Sequence, residues 1–176
     1  QQRIALHASL PRQLNQDILA VLLEEGEDPA HYFNWLKDRT FVHKRGQYWA
    51  YHNVVRELMA QYQFELSQQS WSGMHTKLAE YYEGKATVMG LKGIKNQWED
   101  DAWNGVMMET HFHWLCADFK KAIPTAIQAF VQVLRINGHS AALPWAVTIH
   151  QAGKCWVDTY WGESLQKGVN GLLEKK

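Results

Sequence analysis

The chain has no apolar run approaching the ~18 residues that a membrane-spanning helix needs, and its first residues lack the charged-then-apolar layout of a secretion signal. Those two absences predict an intracellular, cytoplasmic protein with no membrane partner. Cysteine is nearly missing: Cys116 and Cys155 stand far apart inside helical-looking segments, which makes neither a disulfide framework nor a zinc pattern. Both are expected to be buried small hydrophobes. An excess of charge of one sign is missing too. Eighteen Lys and Arg meet 18 Asp and Glu across 176 residues, so nothing in the balance pulls the chain toward nucleic acid or acidic lipid.

Catalytic motifs are equally scarce. The segment "GKATVMG" contains Gly84-Lys85 but lacks the earlier glycine and the following Ser or Thr of a P-loop. No serine sits in G-x-S-x-G, and neither cysteine lies in an electropositive motif. The chain by itself is therefore expected not to be an enzyme. Nine histidines invite a metal reading, most obviously through Glu109, His111 and His113 in "ETHFH". On a helix, residues two apart point ~200° away from each other, so His111 and His113 cannot share an ion. Only Glu109 and His113 share a face, and H-E-x-x-H is absent. No metal site is expected, and these side chains read as polar positions on helix flanks beside an aromatic core.

What the sequence does contain is 46% hydrophobic residues, nine of the chain's residues being Trp. That supplies a core for one large or two small domains, and indoles at this frequency in helical segments read as inter-helix packing. "QDILAVLLEEG" places Ile18, Leu19, Leu22 and Leu23 on one helical face, with Asn15 as N-cap and Gly26 as the stop. "DPAHYFNWLKD" starts a second helix with Asp28 as N-cap and Pro29 in the first position, burying Phe33, Trp35 and Leu36. "TFVHKRGQYWAYH" switches to β-branched and aromatic residues around Lys44-Arg45-Gly46-Gln47, the pattern of two strands joined by a tight turn. "NVVRELMAQYQF" returns to helical spacing with Asn53 as its cap, and "SQQSWSGMHTKLAEYY" follows, capped by Ser67 or Ser70.

Helix, helix, hairpin and helix in this order predict a winged-helix domain over residues 1–83. The glycines of "EGKATVMGLKGIKN" predict a linker or loop at 84–95. Residues 96–176 then read as an antiparallel, tetratricopeptide-like helical array. Its helices are "NQWEDDAWNGVMMETHFHWLCAD", "FKKAIPTAIQAFVQVLRINGHS" and "AALPWAVTIHQAG", the last two ending at Asn137-Gly138 and Gly153, with Pro144 in a first turn. The last stretch, from Lys154, reads as one more helix pair or a frayed end. The fold class is mainly α with one small β-hairpin.

With the hairpin and the next helix in place, "YHNVVREL" resembles the M-H-D-type motif that closes the winged-helix domain of STAND signalling ATPases, the class that includes NB-ARC and NACHT proteins. "LPRQLN", "FNWLKDRTFV", "GQYWAYHNVVREL" and "SWSGMHTKLAEYY" look like winged-helix segments of bacterial members. The resemblance covers about Leu10 to Tyr82 and, more loosely, "ETHFHWLCADFKKAIPTAIQAF". It implies that His52 reaches the β-phosphate of ADP in a closed resting state, as a nucleotide-state sensor, with Asn53 and Arg56 in support. Asn53 departs from the family's usual aspartate and loses its charge. The resemblance also implies ADP or ATP held by an upstream nucleotide-binding domain of the same polypeptide, and a protein or small-molecule signal on the helical segment. The start at Gln1 and the abrupt apolar "RIALHASL" agree with a piece of a longer chain.

Two other readings stand beside this one. Winged helices commonly lay a helix in the DNA major groove, which makes a DNA-binding regulator fused to a helical ligand-binding or scaffold domain the main alternative. From Gln1 to Glu83, however, 8 Lys and Arg face 10 Asp and Glu, and a net-acidic module forfeits the phosphate contacts that supply non-specific affinity. The third reading is a helical scaffold in which His52 only ends a strand and caps a helix.

Overall fold

The computed structural model describes residues 1–156. The chain is mainly helical, with a small two-stranded antiparallel hairpin followed by further helices. It divides into two compact units, Gln1–Tyr81 and a second that begins at Tyr82.

In the first unit, a short helix α1 (Gln2–His7) buries Ile4 and Ala5. Helix α2 (Gln16–Leu22) starts at its predicted cap, where the Asn15 side chain accepts the Ile18 N–H at 2.8 Å. Its buried Ile18, Leu19 and Leu22 each contribute about 1.5–3 kcal/mol through burial. The helix ends at Leu22 rather than at Gly26, which lies in the turn beyond. The reason is local: the Glu27 carboxylate takes the Glu24 N–H at 2.8 Å, closing a turn in place of the next helical bond. Helix α3 (Pro29–Lys37) carries both predicted start signals, Asp28 accepting the Ala30 N–H at 2.9 Å and Pro29 opening the helix. Phe33 and Leu36 are buried, whereas Trp35 is half-buried, with the Arg39 guanidinium 5.1 Å from its ring centre.

Strands β1 (Val42–Arg45) and β2 (Tyr48–Tyr51) pair antiparallel, with Val42 opposite Tyr51 and Arg45 opposite Tyr48. Gly46 turns the chain at φ 62°, as a Gly-first two-residue loop requires. Leu14, between α1 and α2, forms an isolated antiparallel bridge to Trp49 through bonds of 2.7 and 3.0 Å. Tyr51 is buried and its hydroxyl donates to the Ala5 carbonyl at 2.8 Å, fastening α1 to the hairpin. Burial raises the pKa of that hydroxyl.

Helix α4 (Asn53–Leu66) leads to α5 (Gln68–Val88), whose start is capped by Ser67 Oγ accepting the Ser70 N–H at 3.2 Å. The unit boundary falls within α5. Sequence signals put a loop at 84–95, but α5 runs on to Val88 and the loop shrinks to 89–93. The buried stripe Trp71, His75, Leu78, Tyr82 and Ala86 keeps helical spacing past Glu83, and that burial outweighs Gly84, which costs only ~1 kcal/mol in a helix.

The second unit contains α6 (Ile94–Glu99), α7 (Asp101–Ala117), α8 (Phe119–Asn137) and α9 (His139–Gly153), followed by a 3-10 turn at Lys154–Trp156. The helix expected across 96–118 is broken at Asp100, which ends α6 and caps α7 by accepting the Trp103 N–H at 2.7 Å. The Asn104 and Asn137 amides both donate to the Trp98 carbonyl, at 2.6 and 2.7 Å, satisfying an acceptor that the break leaves open. Gly138, at φ 84°, ends α8 as predicted and starts α9 at once. Pro144 consequently sits inside α9, five residues beyond His139, not in the first turn. Trp98, Trp103 and Trp145 form the centre of this unit's core, Trp98 meeting Trp103 edge to face at 4.9 Å. The pair of helices or frayed end expected beyond Trp156 lies outside the described residues.

Candidate functional site

The hairpin delivers His52 to the mouth of α4. Its backbone N–H donates to the Phe41 carbonyl at 2.9 Å, continuing the β1–β2 ladder by one bond, and its own carbonyl accepts the Arg56 N–H at 2.9 Å as the first bond of the helix. His52 is thus the N-cap residue, and Asn53 is the first residue inside the helix. Asn53 does not cap, contrary to expectation: the helix starts one residue earlier, because the His52 carbonyl accepts the first helical bond directly after the last bond of the strand ladder. The His52 side chain accepts none of the first-turn N–H groups and is exposed.

The imidazole lies instead against His43 of β1, ring centres 4.4 Å apart and planes 23° from parallel. Hairpin register explains the contact. His43 stands opposite Ala50, so His52, two residues on, is its diagonal neighbour on the same face, within reach of an aromatic ring. The three sequence-predicted residues separate in role. His52 and Asn53 are exposed at the helix mouth, while Arg56 is half-buried and its charge is felt at His75. His75 is 1% exposed and lies against Trp71, ring centres 4.3 Å apart and planes tilted by 51°. Burial first, then Arg56, pushes its pKa down to about 3.

Helix α4 buries none of its 14 residues. Val54, Leu58, Tyr62 and Leu66, four residues apart in turn, are 70, 63, 51 and 68% exposed. They form an apolar stripe along α4. The periodicity of α4 was legible in the sequence, but which of its faces is covered was not. The helix before the hairpin shows the opposite tendency. Lys37 lies 5.3 Å from the Phe33 ring centre and 6.0 Å from that of Trp49, so the basic side chains near α3 are drawn onto aromatic faces.

In the second unit, Glu109 and His113 do share a face of α7, but it is the inner one. They are 9 and 0% exposed rather than flanking, and His113 stacks on Tyr82 at 5.7 Å. His111 is turned to Trp145, and burial pushes its pKa down to about 4. Among the described residues no three His, Cys, Asp or Glu side chains gather in a way that could hold a metal ion. No helix among them is long and apolar enough to cross a membrane. Cys116 is buried, as expected, and the Cys155 side chain lies outside the described residues.

No protein-family model matches the chain, and no solved structure matches it. Over 68 residues it is 26% identical to the NADH-ubiquinone oxidoreductase 29.9 kDa subunit, mitochondrial, of Neurospora crassa. The matched stretch is 39% of this chain and 25% of that protein. A likeness of that extent shows a short shared stretch and places the chain in no family.

Proposed function

We propose that the first unit is the winged-helix regulatory module of a STAND-class signalling ATPase. In this reading His52 contacts the β-phosphate of ADP bound by a nucleotide-binding domain elsewhere in the same polypeptide. The helices from Tyr82 onward form a tetratricopeptide-like sensor for a protein or small-molecule signal, and the whole acts in the cytoplasm. The 176-residue chain is regulatory, and ATP hydrolysis depends on residues of the nucleotide-binding domain.

The order α1, Leu14 bridge, α2, α3, β1, β2 supports the winged-helix part, since that bridge supplies the short strand such domains place between their first two helices. The observation that carries the functional part is the exposed, non-capping imidazole of His52 at the mouth of a helix that also carries an exposed apolar stripe. A residue that reads a nucleotide on another domain must project outward and be flanked by surface that the other domain covers. An imidazole N–H donates well to a phosphate oxygen. Loss of that bond when ATP replaces ADP supplies the differential interaction a two-state switch needs.

The direct test is the ADP content of the full-length polypeptide, released by denaturation and quantified by chromatography for wild type and His52→Ala. Near-stoichiometric ADP in wild type and much less in the variant is the expected result. Equal ADP in both, or none in either, overturns the reading.

A further inference from the structure

The proposed contact needs more than an exposed imidazole, because a freely rotating ring spends most of its time pointing elsewhere. The described hydrogen bonds of His52 involve its backbone alone, to Phe41 and Arg56. Its side chain makes no cap bond, and its ring stacks on His43. His43 is itself well placed to serve as a fixed wall. It lies within β1, paired in register with Ala50, and is half-buried. Its Nδ1 is buried with no hydrogen-bond partner among the described residues, so no bond at that atom turns the ring away from His52.

We propose that His43 is the positioning residue for His52. Its ring face, 4.4 Å away across the diagonal of the hairpin, restricts the His52 imidazole to one orientation at the mouth of α4 and thereby sets how long the ADP-bound state persists. This inference rests on the nucleotide-sensing reading and adds a second residue to it, one that touches the sensor and not the ligand. The requirement at position 43 is a flat ring. Phenylalanine meets it and alanine does not.

Two measurements test this together. In the 176-residue chain, proton NMR of the His52 ring reads the stack directly, because a neighbouring aromatic face shifts those resonances. In the full-length polypeptide, release of bound ADP into excess unlabelled nucleotide reads its consequence. His43→Ala is expected to shift the His52 ring resonances and to speed ADP release roughly two- to tenfold, the range that one aromatic pair supplies. His43→Phe is expected to keep the release rate near wild type, and His52→Ala to release ADP at least as fast as His43→Ala. If His52→Ala speeds release while His43→Ala does not, the sensor reading stands and the positioning role is overturned. If His43→Phe fails to rescue, stacking is not the cause and the proposal falls. If His52→Ala itself leaves release unchanged, the sensor reading fails and takes this one with it.

Discussion

Helices α4 and α7 are similar in length, 14 and 17 residues, yet α4 buries none of its side chains and α7 buries eight, among them Glu109, Thr110 and His113. Both carry aromatic and aliphatic residues at helical spacing. The difference lies in neighbours. α7 packs against α6, α8 and α9, so even its polar side chains are drawn inside. α4 keeps Val55, Met59 and Phe64 only half-covered, and turns Val54, Leu58, Tyr62 and Leu66 outward. Apolar side chains left in such an exposed row contribute little burial to the stability of this unit.

That contrast breaks most readily by truncation. Trp103→Ala on α7 is expected to cost about 3–5 kcal/mol, as for other fully packed aromatics, and thermal or urea denaturation reads it. Leu58→Ala on α4 is expected to stay within about 0.5 kcal/mol of wild type. Comparable losses in the two variants would mean that the α4 face is covered within this chain after all.

A smaller effect comes from the buried imidazoles. His75 and His111 have folded pKa values pushed down to about 3 and about 4 from 6.5. Between 6.5 and those values the unfolded chain binds protons that the folded chain refuses, so stability rises with pH and falls on acidification. At pH 5 each such histidine costs about 2 kcal/mol relative to pH 7 and above. Urea midpoints at pH 7 and pH 5 measure the sum, and His111→Gln should remove close to one proton's share of the slope. An unchanged slope in that variant would show that His111 is not held neutral inside.

The smallest effect sits at the start of α4. Its first turn carries no acidic residue, and Asn53→Asp places a carboxylate at the positive end of the helix, worth about 0.3–1 kcal/mol. A gain in thermal midpoint is expected. A loss would indicate that position 53 faces a negative potential instead.

Local signals were legible in the sequence where a single residue decides the outcome: Asn15 and Asp28 at helix starts, Gly46 in the hairpin, Gly138 at the end of α8. Outcomes that depend on competition were not. Asp100 reads equally as a polar position of one long helix or as a cap between two, and only packing of Trp98 against Trp103 and Trp145 decides for the break. Gly84 reads as a breaker until Ala86 is seen to extend the buried stripe. Of the candidate site, the place of His52 between hairpin and helix was legible. The His43 contact was latent in the hairpin register, since a two-residue turn at Gly46-Gln47 places 43 opposite 50 and diagonal to 52. Exposure of the α4 stripe had no sequence signal, because an exposed apolar face and one that meets its own core share one periodicity.

The proposed sensor role requires that another domain cover the α4 face and His52 when ADP is bound. Hydroxyl-radical footprinting of the full-length polypeptide, loaded with ADP or with a non-hydrolysable ATP analogue, measures this at Leu58, Tyr62 and Leu66 directly. Strong protection with ADP and labelling as fast as in the 176-residue chain with the analogue is the predicted result. Equal labelling of α4 in both nucleotide states would contradict it.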